Sequence, residues 1–231
     1  MKIFTVFLFL LALTINAEAQ QRHTVTARGE TTLEGSLPRE MMYAFEHFKD
    51  AVLKMNDGSE KAVKVNINLY TGDVLFLTSG NQILILAYPD DVRHMIIDEK
   101  IWLQVDGTFW EIKSTQGNVS LIGALKTKIT DTRKEGAYGF SSGTSAVGRV
   151  SQVVMDGGQI ATTLPVGEYD FETSVLYMLI SDAKPAIADA KGFKKFFEAK
   201  KKEVDAYIKA NDIDFKNEID LVALLEACSK L

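Results

Sequence analysis

The chain has 231 residues, 46% hydrophobic and 25% charged with only 4 prolines, which excludes a disordered or fibrous protein and suffices for one buried core with at most a small appendage. A formal net charge of -5 argues against a dedicated nucleic-acid binder, whose footprint would be strongly basic. Cys228 is the only cysteine, so no intramolecular disulfide can form and the fold must rest on its core.

Met1 to Ala19 reads as an export signal. Lys2 gives the charged start, Ile3 to Ile15 is almost unbroken apolar, and Ala17-Glu18-Ala19 is a small-x-small cleavage site. The apolar run falls short of the roughly 20 residues that span a bilayer, and no later window is apolar for longer, so no transmembrane segment is expected. No cysteine follows the small residues to carry a lipid anchor. The expected product is periplasmic or secreted, cleaved after Ala19.

From Gln20 to Ser36 the polar chain alternates weakly, which fits an edge strand or a flexible lead-in. Pro38 to Phe48 places Met41, Met42, Phe45 and Phe48 at a spacing of three to four, and predicts a short helix. Asp50 to Met55 follows as a strand, joined through Asn56-Asp57-Gly58-Ser59 to the next, a hairpin signal.

Lys61 to Asp98 holds four strand-like runs and reads as a β-meander. Val63, Val65, Ile67 and Leu69 alternate with Lys64, Asn66 and Asn68, the pattern of a strand with one wet face. Val74 to Leu77 and Ile83 to Tyr88 are continuously apolar, which predicts central strands covered on both faces. Thr71-Gly72-Asp73, Ser79-Gly80-Asn81 and Pro89-Asp90-Asp91 are turns. Ile101 to Val105 and Thr108 to Lys113 add two strands around Asp106-Gly107, with Trp102 and Trp110 large enough to anchor a core edge.

Val119 to Thr130 is β-rich at its start and is followed by a basic cluster of Lys126, Lys128, Arg133 and Lys134. That cluster fits a solvated strand face, or a phosphate or lipopolysaccharide site. Gly136 to Gly148 carries four glycines with small hydroxyl residues around Tyr138 and Phe140, a composition that predicts neither helix nor regular strand. Strand signals return at Val150 to Met155, Gln159 to Leu164 and Val175 to Ile180, and Pro185 closes the β region.

From Lys191 the period changes to that of a helix: Phe193, Phe196, Phe197, Val204, Tyr207 and Ile208 form one stripe, interrupted at Lys200. Docking of the helices on the β body through Phe193, Phe196, Phe197 and Ile208 is expected, since an isolated pair of this length is marginal in water. A second helix is expected from about Asn217, which can cap it, with Ile219, Val222 and Leu225 facing inward. Cys228 lies at helical spacing from Leu221, Leu224 and Leu225, which suits a buried small apolar residue.

The expected fold class is therefore α+β: a mainly antiparallel β body, meander- or sandwich-like, over residues 20–185, with a C-terminal two-helix segment over residues 186–231 packed on it. Asn68-Leu69-Tyr70-Thr71-Gly72-Asp73-Val74-Leu75-Phe76, the Gly136-Ala137-Tyr138-Gly139 loop with Ser142 and Thr144-Ser145, and the tail from Lys194 to Cys228 carry a resemblance. Over most of the mature chain the sequence is similar to a group of uncharacterised exported proteins of Bacteroidetes-type bacteria. The Lys200 region departs from the proline expected there. The resemblance implies a Gram-negative envelope setting and assigns no chemistry.

Catalytic signatures are sparse. Gly139-Phe140-Ser141-Ser142-Gly143 matches the G-x-S-x-G elbow of serine hydrolases, but no clear strand enters it, no helix leaves it, and His23, His47 and His94 all precede the serine. The histidines show no pairing at zinc-ligand spacing, and no phosphate-binding glycine loop is present, so no cofactor is expected. Glu168, Asp170 and Glu172 would share one face of an extended strand, which suits calcium, the acid-base pair of a glycosidase, or an exposed strand face. Two functional classes result. One is a non-catalytic envelope protein that binds a protein partner or a surface glycan through a contact loop of Tyr138 and Phe140 with Arg133 and Lys134; the other is a hydrolase of envelope or extracellular glycans acting through acidic residues.

Overall fold

The computed structural model describes residues 21–29, 31–135, 141–143, 151–154, 160–182 and 185–231, with 134, 135, 141–143, 151–154 and 160 described by backbone alone. The expected leader over residues 1–19 lies outside the described residues.

In chain order the elements are β1 (Gln21–Ala27), β2 (Thr31–Thr32), α1 (Leu33–Ser36), α2 (Arg39–Met42), β3 (Lys49–Met55), β4 (Glu60–Ile67), β5 (Val74–Leu77) and β6 (Ile83–Ile85). Then come β7 (Val92–Ile97), β8 (Lys100–Val105), β9 (Thr108–Gln116), β10 (Val119–Glu135), β11 (Ser141–Gly143), β12 (Ser151–Val154), β13 (Ile160–Leu164), β14 (Gly167–Ile180) and β15 (Ala186–Ile187). Three helices close the chain: α3 (Ala190–Phe196), α4 (Lys201–Asn211) and α5 (Glu218–Lys230). The class is α+β, mostly antiparallel sheet with C-terminal helices.

One large sheet runs in the order β1-β14-β10-β9-β8-β7-β3-β4-β5-β6, with β11 beside β10 and β15 beside β14. A small sheet has the order β12-β13-β2. The spine is β10 against β14, in register from Ser120↔Ile180 to Arg133↔Glu168 with one irregularity between Ile129 and Asp131. Alternation sorts their side chains: Leu121 and Leu179 face the C-terminal helices, while Ile122, Ala124 and Met178 form a separate cluster with Trp110.

The expected four-strand meander is three strands long. β4, β5 and β6 follow one another, but β7 crosses back to pair with β3 on the other side of β4. That leaves β6 at the edge, with Ile83 and Leu84 exposed, so the Ile83 to Tyr88 run is not a central strand, whereas the Val74 to Leu77 run, β5, is flanked by β4 and β6. Nor is the polar face of β4 fully wet: Asn66 and Asn68 are buried because both side chains bond backbone. The Gln20 to Ser36 stretch includes the opposite edge strand, β1.

The helix expected over Pro38 to Phe48 stops at Met42. Tertiary pairing overrides the apolar spacing there: Tyr43 bridges Asn68, the Ala44 N–H donates to Ile67 O, and the Leu69 N–H donates to Met42 O. Ser141–Gly143 is a short strand on β10, a correction to the reading of Gly136 to Gly148 as wholly irregular; the other residues of that stretch lie outside the described ones. Pro185 does not end the β structure, since β15 follows it.

The break near Lys200 is a 3₁₀ turn over Glu198–Lys200 between α3 and α4. Asp189 caps α3 by accepting from the Gly192 N–H at 2.7 Å, and Asn217 caps α5 by accepting from the Ile219 N–H at 2.9 Å. Gly192 is required by contact: a Cβ there would lie 1.9 Å from Ile187 O. Phe193, Val204, Leu221, Leu224, Leu225 and Cys228 are buried against Val119, Leu121, Tyr177 and Leu179, so the helices share a core with the sheet. Ile219 does not face inward; it is 75% exposed, and Leu221 and Leu224 take the buried positions. Phe196 and Phe197 are only partly buried.

Candidate functional site

Two concave regions lie on the large sheet. The first is a trough of 480 Å³ at the β1 edge, lined by Arg22, His23, Thr24, Thr130, Asp170, Phe171 and Glu172. As the alternation predicts, Glu168, Asp170 and Glu172 share one face of β14, and each meets a cation. Arg133 Nη2 reaches both oxygens of Asp170 at 2.7 Å and Glu168 Oε1 at 2.9 Å. Arg22 and Lys128 flank Glu172 at 3.6 and 3.9 Å, and Thr24 Oγ1 donates to Asp170 at 2.7 Å. The charges form a cross-strand ladder whose members neutralise one another.

This ladder accounts for part of the basic cluster. Arg133 is held by carboxylates, and Lys134 sits on β10 opposite Ser142. Lys126 lies apart: its amine crowds Gly72, where a Cβ would come within 2.8 Å of Nζ, and burial pushes its pKa down against the raising effect of Asp73. Tyr138 and Phe140, the aromatic pair of the expected contact loop, lie outside the described residues. Ser141 of the G-x-S-x-G match lies in strand β11 rather than at a strand-to-helix turn.

The second region is a cleft of 250 Å³ lined by the Ala44-Phe45 bend and by residues of β7, β8, β9, β10 and β14. Its apolar wall is Ala44, Phe45, Ile97, Trp102, Leu125 and Val175, and its polar rim is Asp98, Lys100, Glu111 and Lys113. Phe45 meets Trp102 edge-to-face, ring centroids 6.0 Å apart. Gly123 leaves the floor open: an added Cβ would stand 3.0 Å from Lys113 Cε and 3.1 Å from the Tyr177 ring.

Each wall has a local cause. Asn66, fully buried on β4, accepts from the Phe45 and Ile67 N–H groups at 3.1 and 2.8 Å and donates to Phe45 O at 2.8 Å. Those bonds fix the bend that carries Phe45. Between β9 and β10 the register slips by one residue, Leu121 facing Ser114 while Ile122 faces Ile112. The slip leaves Lys113 as the extra residue of a bulge, a device that re-aims a side chain.

Lys113 Nζ lies 3.3 Å from Glu111 and 3.1 Å from Glu218 of α5, and Lys100 binds Glu111 at 2.9 Å. Burial alone would push the Lys113 pKa down, but Glu111 and Glu218 outweigh it and hold it above the ordinary lysine value. Tyr177 Oη donates to Glu218 at 3.4 Å. The chain of charges thus ties α5 to the sheet, and its members Lys100, Glu111 and Lys113 line the cleft. The Trp102 Nε1 is buried with no hydrogen-bond partner among the described residues, a cost of about 1–3 kcal/mol.

Sequence reasoning missed this cleft because its residues come from five separate stretches. Two signals pointed toward it: a glycine inside a strand, Gly123, marks close approach, and Trp102 marks a large buried ring. Among the described residues, no group of three or more His, Cys, Asp or Glu side chains is placed to hold a metal ion. No helix of the described residues is long and apolar enough to cross a membrane. No protein-family model, no curated protein and no solved structure matches the chain.

Proposed function

We propose that the chain is an exported, non-catalytic binding protein of the cell envelope, and that the cleft between Phe45, Trp102 and Leu125 takes one sugar residue of a surface glycan. The observation that carries this reading is the pairing of an apolar wall with a rim that offers both donors, Lys100 and Lys113, and acceptors, Asp98 and Glu111. A sugar ring presents a C–H face to such a wall and hydroxyls to such a rim. The volume suits a single ring rather than an extended chain.

The carboxylates on β14 support binding over hydrolysis. An acid-base pair needs carboxyl groups that face a substrate, whereas Glu168 and Asp170 are engaged by Arg133 and Glu172 lies between Arg22 and Lys128. The export motif at Met1 to Ala19 supports the setting.

Calorimetric titration with lipid-free lipopolysaccharide polysaccharide, and separately with soluble peptidoglycan glycan strands, tests the proposal. Binding of one of the two is expected, weakened about tenfold or more by Phe45→Ala and by Lys100→Ala, with no reducing ends released during long incubation. Release of reducing ends that Asp170→Asn abolishes would overturn it in favour of a hydrolase. Equal binding by wild type and both variants would remove the cleft from the account.

A further inference from the structure

The large sheet ends at β6, and that edge has unusual chemistry. From Val74 to Tyr88 the chain carries no charged residue. Ile83 and Leu84 are 41% and 40% exposed on opposite faces of the strand, and Tyr88 beyond it is 74% exposed. Natural edge strands are ordinarily protected by lysine, proline, a bulge or a cover; β6 has neither lysine nor proline, and no described strand lies on its outer side. The opposite edge, β1, is polar and carries Arg22, whose side chain is 74% exposed.

Register shows which backbone groups are free. β6 pairs with β5 as Leu75↔Ile85, Phe76↔Leu84 and Leu77↔Ile83. The Leu86 N–H donates to Val74 O and the Thr78 N–H donates to Gln82 O. Hydrogen-bonded and non-bonded pairs alternate along an antiparallel ladder, so Gln82, Leu84 and Leu86 turn their polar backbone inward. Ile83 and Ile85 turn theirs outward, and no protein group among the described residues meets them.

We propose that β6 pairs antiparallel with β6 of a second copy of this chain, about a two-fold axis at Leu84. In that register Ile83 faces Ile85 of the other copy twice, and each of the two pairs exchanges two N–H to O=C bonds. The groups left outward by β5 pairing are the ones this arrangement satisfies. Leu84 meets its own copy on one face, and the isoleucines pack across the axis on the other. An uncharged strand suits itself as partner: self-pairing brings no like charges together, whereas a charged peptide would set its charges against Ile83 and Leu84. The pairing is isologous and closes, using up the apolar edge and leaving the polar β1 edges outermost.

The strand is short, and its contact falls below the roughly 1,000 Å² expected of a durable interface. The dimer is accordingly reversible, with a Kd on the order of 10–100 μM.

Sedimentation equilibrium of the full chain over about 5 to 500 μM should show the average mass rising toward twice the monomer. Leu84→Lys and Leu84→Glu should each stay monomeric, and an equal mixture of the two should associate again. Ile85→Pro should also abolish association, because the N–H it removes faces outward and the β5 ladder is untouched; an unchanged unfolding transition shows that its fold is intact. A wild-type mass independent of concentration overturns the proposal. So does association that survives Leu84→Lys, or a lysine-glutamate mixture that remains monomeric.

Discussion

Replacing Phe193 by alanine tests whether the C-terminal helices and the sheet are one cooperative unit. The ring is fully buried in the core shared with Leu121, Tyr177 and Leu179, whereas the Phe197 ring, equally prominent in the sequence stripe, is only partly buried. Emptying a closed aromatic site costs about 3–5 kcal/mol; truncating a half-exposed ring costs about 1–2 kcal/mol from lost apolar burial. For a chain of this size the Phe193→Ala loss corresponds to a fall in Tm of roughly 6–20 °C. Urea unfolding followed in parallel by far-ultraviolet dichroism and by tryptophan fluorescence separates the cases, because both tryptophans lie on the sheet. The two signals should fall together at a lower midpoint for Phe193→Ala, with a smaller shift for Phe197→Ala. A dichroism transition that moves while the fluorescence transition stays in place would refute the shared core.

Two further outcomes follow from buried groups. Asn66→Ala removes the two hydrogen bonds that hold the Phe45 bend, and one from the Ile67 N–H, and should cost about 2–4 kcal/mol, since it leaves buried backbone groups unpaired; a loss under about 0.5 kcal/mol in chemical denaturation would show that the bend is held otherwise. Burial pushes the Cys228 thiol up from 9.0 to about 11. The unfolded chain therefore releases that proton first, so this group's contribution is intact below pH 9 and falls by about 2–3 kcal/mol as pH rises to 11. Denaturation at pH 8 and pH 11 should show a steeper loss for the wild type than for Cys228→Ala, and equal losses would contradict the burial. Native protein at pH 8 should resist Ellman's reagent.

The elements that sequence revealed are those governed by local rules. Asn56 to Ser59 and Asp106-Gly107 place strands on either side because their turns need backbone conformations that Gly58, Asp106 and Gly107 adopt at positive φ. The Asn217 cap and the break at Lys200 are local in the same sense. What failed was governed by long-range pairing. The run from Ile83 to Tyr88 is apolar enough for a sheet centre, but its place at the edge depends on β7 crossing to β3, which nothing in the run encodes. Pro38 to Phe48 has helical spacing, yet β4 claims the backbone beyond Met42. On α5, Leu225 and Val222 face the core as expected but Ile219 does not, since Ile219 and Leu221 are both apolar and only docking decides between them.

The same distinction divides the candidate sites. The carboxylates Glu168, Asp170 and Glu172 could be placed on one face from their period alone, but their neutralisation by Arg22, Lys128 and Arg133 needed the register of β1, β10 and β14. The cleft draws on the bend at Phe45 and a bulge at Lys113, whose amine is paired by Glu218 of α5, and none of these is adjacent in sequence to another.

The central claim is that the Trp102 cleft is where a glycan binds. The chain has two tryptophans, so isotope-labelled protein gives two indole N–H signals, assignable through Trp110→Phe, and they report on opposite faces of the sheet. Titration with the glycan fragment that binds in calorimetry should shift the Trp102 indole signal and the backbone amides of Phe45, Asp98, Lys100 and Leu125 in proportion to occupancy, while the Trp110 indole stays in place. Shifts confined to the trough of Arg22, Thr24 and Glu172, with Trp102 unmoved at saturation, would contradict the account.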